Sequence, residues 1–199
     1  RGLKTTTVAK RLQNCKAFFE MALMDEVIPS NPFRKTKVTA TGVQDRQRFV
    51  RRDEIDAVIA KCPDHHWRMI VALSRYGGLR CPSEVLSLKW EDVDRETNRI
   101  VVHSPKTEHH AGKATRTIPL FTELRPFLEE SFELAKPGEV YVVDERFRAA
   151  SQGPGGWQNA NLRTTFQKIV RRAGVEPWPK LFQNLRASRE TELMQHHPI

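Results

Sequence analysis

The stretch Gly77-Gly78-Leu79-Arg80-Cys81-Pro82-Ser83-Glu84-Val85-Leu86-Ser87-Leu88-Lys89-Trp90-Glu91-Asp92-Val93-Asp94 sets an arginine on a glycine turn ahead of an apolar run. The glycines permit a sharp turn, Pro82 suits a first helical position, and Val85, Leu86 and Leu88 supply a face to bury. An amphipathic helix is therefore predicted directly after Arg80. Glu84 falls one helical turn beyond Arg80, where the two can pair. An arginine so placed can face a phosphate; the alternative is that Arg80 only caps the helix ending near Gly77.

Downstream, Ile100-Val101-Val102 and Thr115-Arg116-Thr117-Ile118-Pro119-Leu120 read as strands, and the polar segment between them places Lys106 in a hairpin. Upstream, Ile55, Val58, Ile59 and Cys62 mark one helix, and Trp67, Ile70, Val71 and Ser74 a second. Beyond the hairpin come a helix over 122–134, a strand-like Val140-Tyr141-Val142-Val143 and a surface turn at Gly153-Pro154-Gly155-Gly156. A helix carrying Leu162, Phe166, Ile169, Val170 and Ala173 then ends at Gly174, and a last helix over 181–194 bears Arg186. The fold class is mainly α with a small antiparallel β-sheet (α+β), without internal repeats.

At the N-terminus, Val8, Leu12, Cys15, Phe19 and Ala22 have helical spacing, with threonines ahead of them able to cap the start. Ile28-Pro29-Ser30-Asn31-Pro32-Phe33 stops that helix, and the basic, patternless 34–44 reads as a linker. Two domains are expected, 1–44 and 45–199.

The 199 residues are 39% hydrophobic, enough for a globular core. No membrane span or secretory signal is read, so a soluble, intracellular protein is expected. Cys15, Cys62 and Cys81 are odd in number and lack metal-ligand spacing, which suits a reducing compartment and packing roles. The net charge of +9 is uneven: residues 1–52 hold 12 Lys/Arg against 4 Asp/Glu, 53–145 hold 12 against 17, and 146–199 hold 9 against 3. Two basic lobes flanking an acidic body fit a clamp on a polyanion, since neutralising phosphates releases counterions; the plain alternative is a solvated surface.

The ordered set of Gly78-Leu79-Arg80 with Glu84, the hairpin Lys106-Thr107, the strand 116–120 and Asn184-Leu185-Arg186 resembles the tyrosine recombinase (phage integrase) family over most of the chain. The resemblance implies the recombinase catalytic-domain fold in 45–199 and the trailing part of a helical core-binding domain in 1–44. It implies site-specific DNA recombination or integration through a phosphotyrosyl intermediate, with no metal or other cofactor. Arg80 and Arg186 would neutralise the phosphate, Lys106 would protonate the leaving 5′ oxygen with Lys113 as the substitute in another hairpin register, and Glu84 would support Arg80. The implied partner is double-stranded DNA, bound by a homo-tetramer, in the cytoplasm and associated with the nucleoid.

Two departures stand out. Gln183 occupies the place of the family's usual histidine, and glutamine can hydrogen-bond a phosphate but cannot shuttle a proton at neutral pH. Neither Tyr76 nor Tyr141 follows the Arg186 helix, so no nucleophile is assigned within these residues and no strand cleavage is expected from them alone. The alternative reading is a non-catalytic DNA-binding protein derived from a recombinase. The pairs His65-His66, His109-His110 and His196-His197 lack metal-ligand spacing. Trp157, Trp178 and Phe182 suit core packing better than base stacking.

Overall fold

The computed structural model describes residues 2–40, 44–104, 114–154, 156–158 and 161–196. The chain divides into two compact units, Arg1–Gln47 and Arg48–Ile199.

The first unit is built on helix α1, Thr5–Met24. Its expected apolar stripe is half-buried, but the threonines lie inside the helix and Lys4 stands at the N-cap without a side-chain cap. The segment after the helix folds back through Asn31, whose Nδ2 donates to the Lys16 carbonyl at 3.0 Å and to Glu20 Oε2 at 2.8 Å. Phe33 meets Phe19 edge-on, with ring centroids 5.0 Å apart.

The second unit opens with α2, Arg52–Ile59, and α3, His65–Arg75. Asp64 caps α3 by accepting from the Trp67 amide at 2.8 Å, and the helix buries Trp67 and every residue from Met69 to Arg75. A residue set so uniformly buried marks the central helix of the unit. Its last turn is terminated by Gly77 and Gly78. A Cβ on Gly77 would lie 2.8 Å from the Leu73 carbonyl oxygen, and Gly78 adopts φ +66°. The turn lets the Leu79 amide return to the Leu73 carbonyl at 3.1 Å.

The helix expected after Arg80 does not form. Residues 81–84 make turns followed by a single 3-10 turn, Val85–Ser87. The reason is a non-local competitor: Leu88 goes extended, its carbonyl accepts from the Val142 amide at 3.0 Å, and the Trp90 amide donates to the Val140 carbonyl at 3.0 Å. The chain there is recruited into an antiparallel bridge, Lys89 to Tyr141, before a helix can propagate.

The sheet has the antiparallel order β1 (Val93–Asp94), β2 (Arg99–His103) and β3 (Thr115–Pro119). Its register pairs Ile100 with Ile118 and Val102 with Arg116. Ile100 and Val102 are buried while Arg99, Val101 and His103 face out, the period-2 pattern of a one-sided sheet. Then follow α4 (Arg125–Glu133), α5 (Glu145–Ala150), a two-residue hairpin of β4 (Gln152–Gly153) with β5 (Gly156–Trp157) at the expected surface turn, α6 (Leu162–Arg172) and α7 (Leu181–His196). Phe166 of α6 stacks on Phe182 of α7 at 4.8 Å and meets Trp178 edge-on, so Trp178 and Phe182 are core residues.

Candidate functional site

Arg80 leaves the Gly77–Gly78 turn with its guanidinium directed forward to Glu84 rather than back to the carbonyls of α3. Arg80 Nη1 donates to Glu84 Oε1 at 2.5 Å and the Arg80 amide donates to Oε2 at 2.8 Å. The pairing holds without an α-helix because the turn keeps helical hydrogen bonds, with the Glu84 amide donating to the Arg80 carbonyl at 2.9 Å.

Two residues not singled out from the sequence complete the cluster. Arg116 donates from Nη1 to Glu84 Oε1 at 2.7 Å and from Nη2 to Oε2 at 2.6 Å, while Ser104 Oγ donates to Oε1 at 2.8 Å. The signal for both lies in strand alternation. Ser104 continues the buried positions Ile100 and Val102, and Arg116 shares a face with Ile118, so each polar side chain is carried inward by its strand. The ladder is extended by the Ser104 amide donating to the Ala114 carbonyl at 2.7 Å.

Glu84 is 2% exposed. Burial alone would raise its pKa; the hydrogen bonds from Arg116, the Arg80 amide and Ser104, with the Arg116 charge, outweigh burial and hold it down at about 2. The carboxylate is therefore ionised across the physiological range. One anion beside two guanidiniums leaves the cluster cationic. Both arginine side chains remain 33% exposed, so this positive charge reaches solvent.

The other candidates divide. Arg186 sits on α7, half-buried, with Nε donating to Glu190 Oε1 at 2.8 Å. Helix α7 packs along α3 and passes the glycine turn: a Cβ on Gly78 would lie 3.9 Å from Arg189 Cγ, one turn beyond Arg186. Gln183 is exposed in the first turn of α7. Lys106 and Lys113, with His109, His110 and His197, lie outside the described residues. Tyr76 is buried, and its hydroxyl donates to Asp56 at 2.7 Å; burial and that bond raise its pKa, which disfavours the phenolate. Among the described residues no cluster of His, Cys, Asp and Glu could hold a metal ion.

Residues 48–198 match the phage integrase family. The chain belongs to that family. None of the curated proteins matches the sequence. Among solved structures, this phage integrase family member is similar to lambda integrase (residues 75–356) as a dimer bound to a COC′ core site, with TM-score 0.69 and 16% identity over 97% of this chain and 68% of that one. The Tn1549 transposon integrase (residues 82–397) in complex with circular intermediate DNA gives TM-score 0.69 and 19% identity over 100% of this chain and 69% of the other. A lambda integrase tetramer bound to a Holliday junction gives TM-score 0.64 and 16% identity over 98% of this chain and 58% of that one. The integrase-family fold is mixed, mainly helical with small antiparallel sheets, as the alternation and periodicity implied. Among its described residues no helix is long and apolar enough to cross a membrane.

Proposed function

We propose that this chain is the greater part of the catalytic domain of a site-specific DNA recombinase, preceded by the end of a helical core-binding domain in residues 1–44. The observation that carries the reading is the part-exposed, cationic Arg80–Glu84–Arg116 cluster inside the region that matches the family. In this reading Arg80 and Arg186 donate paired, charge-assisted hydrogen bonds to the non-bridging oxygens of a scissile phosphate. An arginine suits that work because it cannot lose its proton at neutral pH and its planar fork matches a phosphate. Lys106 protonates the leaving 5′ oxygen. Gln183, exposed at the start of α7, hydrogen-bonds the phosphate without exchanging protons. Tyr76 is withheld from nucleophilic attack by its burial and its bond to Asp56.

The partner is double-stranded DNA, to which the basic stretches 1–52 and 146–199 supply the countercharge. The complete protein works as a homo-tetramer on that DNA, in the cytoplasm and at the nucleoid. The deciding experiment is covalent trapping of a nicked DNA substrate by the native-length protein, with Arg80→Ala beside it. An adduct from the parent and none from the variant supports the reading; equal adduct from both removes Arg80 from the site.

Gln183 favours a second reading, a DNA-binding protein that occupies sites without breaking strands, because the position offers no titrating group near neutral pH. That protein would bind DNA and form no adduct in the same experiment.

A further inference from the structure

Glu84 is shared unequally. Arg116 spans both of its oxygens with paired Nη atoms, at 2.7 and 2.6 Å, whereas the Arg80 guanidinium reaches it through Nη1 alone. Arg116 Nη1 also lies 2.8 Å from Ser104 Oγ, which itself donates to Glu84. The Nε–Nη2 edge of Arg80 makes no hydrogen bond among the described residues. A carboxylate facing one arginine favours the two-pronged geometry that would spend a full edge of that arginine. Here that geometry is already taken.

We propose that Arg116 is a positioning residue of the site: by occupying both oxygens of Glu84 it confines Arg80 to a one-nitrogen contact and leaves the Nε–Nη2 fork of Arg80 for a phosphodiester. The inference rests on the reading of Arg80 as a phosphate ligand. The Nη pair of Arg116 is committed to Glu84. The sequence separation explains the design: Glu84 and Arg80 are fixed locally by one turn, while Arg116 arrives from β3 and ties the turn to the sheet.

The test uses Arg116→Met and Arg116→Lys. In the 199-residue chain, 13C NMR follows the Glu84 carboxylate through a pH titration. The Met variant is expected to raise the proton affinity of Glu84 by about tenfold or more, while Lys, which keeps a point charge, holds it within about tenfold of the parent. In the native-length protein, adduct formation at saturating DNA is expected to slow by about tenfold or more in both variants, with half-saturation changed by less than about threefold. The Lys result separates the fork from the charge. An unchanged rate in Arg116→Lys overturns the proposal, as does an unmoved Glu84 titration in Arg116→Met. A shift in half-saturation at an unchanged rate makes Arg116 a DNA contact instead. If the parent protein forms no adduct, the recombinase reading falls while the titration still decides what Arg116 does to Glu84. Should Arg116→Met fail to fold, Arg116→Lys alone decides.

Discussion

Arg75, in the last turn of α3 and wholly buried, donates two hydrogen bonds to Glu192 near the end of α7, at 2.9 and 2.5 Å, and a third to the Val50 carbonyl at 3.1 Å. The ion pair fastens the helix that carries Arg186 to the helix that leads into Arg80. Burying a charge is tolerable only while its partner is present. Glu192→Ala is therefore expected to cost about 3–5 kcal/mol, and the apolar pair Arg75→Met with Glu192→Leu to recover most of that loss. Urea unfolding of the single and double variants measures both.

The helices and strands of the second unit were legible because their patterns are local. Ile55-Val58-Ile59 repeats at helical spacing, and Ile100-Val102 alternates as a strand should. The helix expected after Arg80 was not, because Leu88 pairs with Val142 and Trp90 with Val140, far along the chain, and the local pattern contains nothing about them. Helix α5 also escaped: six residues carrying three charges have no clear stripe, and the element is held by the Asp144 cap and by Phe147 packed edge-on to Trp67 at 5.9 Å. At the site, Arg80 and Glu84 are one turn apart and could be read as a pair. Arg116 could be placed on the buried face by alternation with Ile118, but its meeting with Glu84 depends on how the sheet lies against the turn.

Glu84 links stability to pH. Its folded pKa is about 2, against an ordinary value of 4.5, because the bonds from Arg116, the Arg80 amide and Ser104 outweigh the burial that would raise it. A depressed carboxylate stabilises the fold fully above its unfolded pKa, and the contribution fades as pH falls through the folded one. The window is therefore from about pH 5 down to about pH 2, and the amount on the order of 3 kcal/mol. Glu84→Gln is expected to lower stability at pH 7 and to flatten the acid limb over that window, as read from thermal unfolding at a series of pH values.

Affinity for duplex DNA is expected to fall steeply with salt. Residues 1–52 hold 12 Lys/Arg against 4 Asp/Glu and residues 146–199 hold 9 against 3, so phosphate neutralisation and counterion release drive the association. Fluorescence anisotropy over a salt series gives a straight line in log affinity against log salt. With Arg80 in its proposed role as a phosphate ligand, Arg80→Ala should reduce that slope by about one. A flat profile would refute phosphate-driven binding.

Gly77 and Gly78 are adjacent but should fail for different reasons. At Gly77 an added Cβ meets the Leu73 carbonyl oxygen at 2.8 Å and Leu79 Cδ1 at 2.9 Å, and backbone oxygen cannot step aside as a side chain can. Gly77→Ala must therefore open the end of α3, with an expected cost of about 1–3 kcal/mol and a displaced Arg80. At Gly78 there is room, with Arg189 Cγ 3.9 Å away, but φ is +66°. Gly78→Ala meets only the left-handed backbone penalty, about 1–2 kcal/mol. Asn tolerates that conformation better than Ala, so Gly78→Asn should recover part of the loss, whereas Gly77→Asn should be worse than Gly77→Ala because it adds volume to a closed space. Denaturant unfolding of the four variants distinguishes crowding from backbone strain, and the same order for Asn and Ala at both positions would contradict the separation.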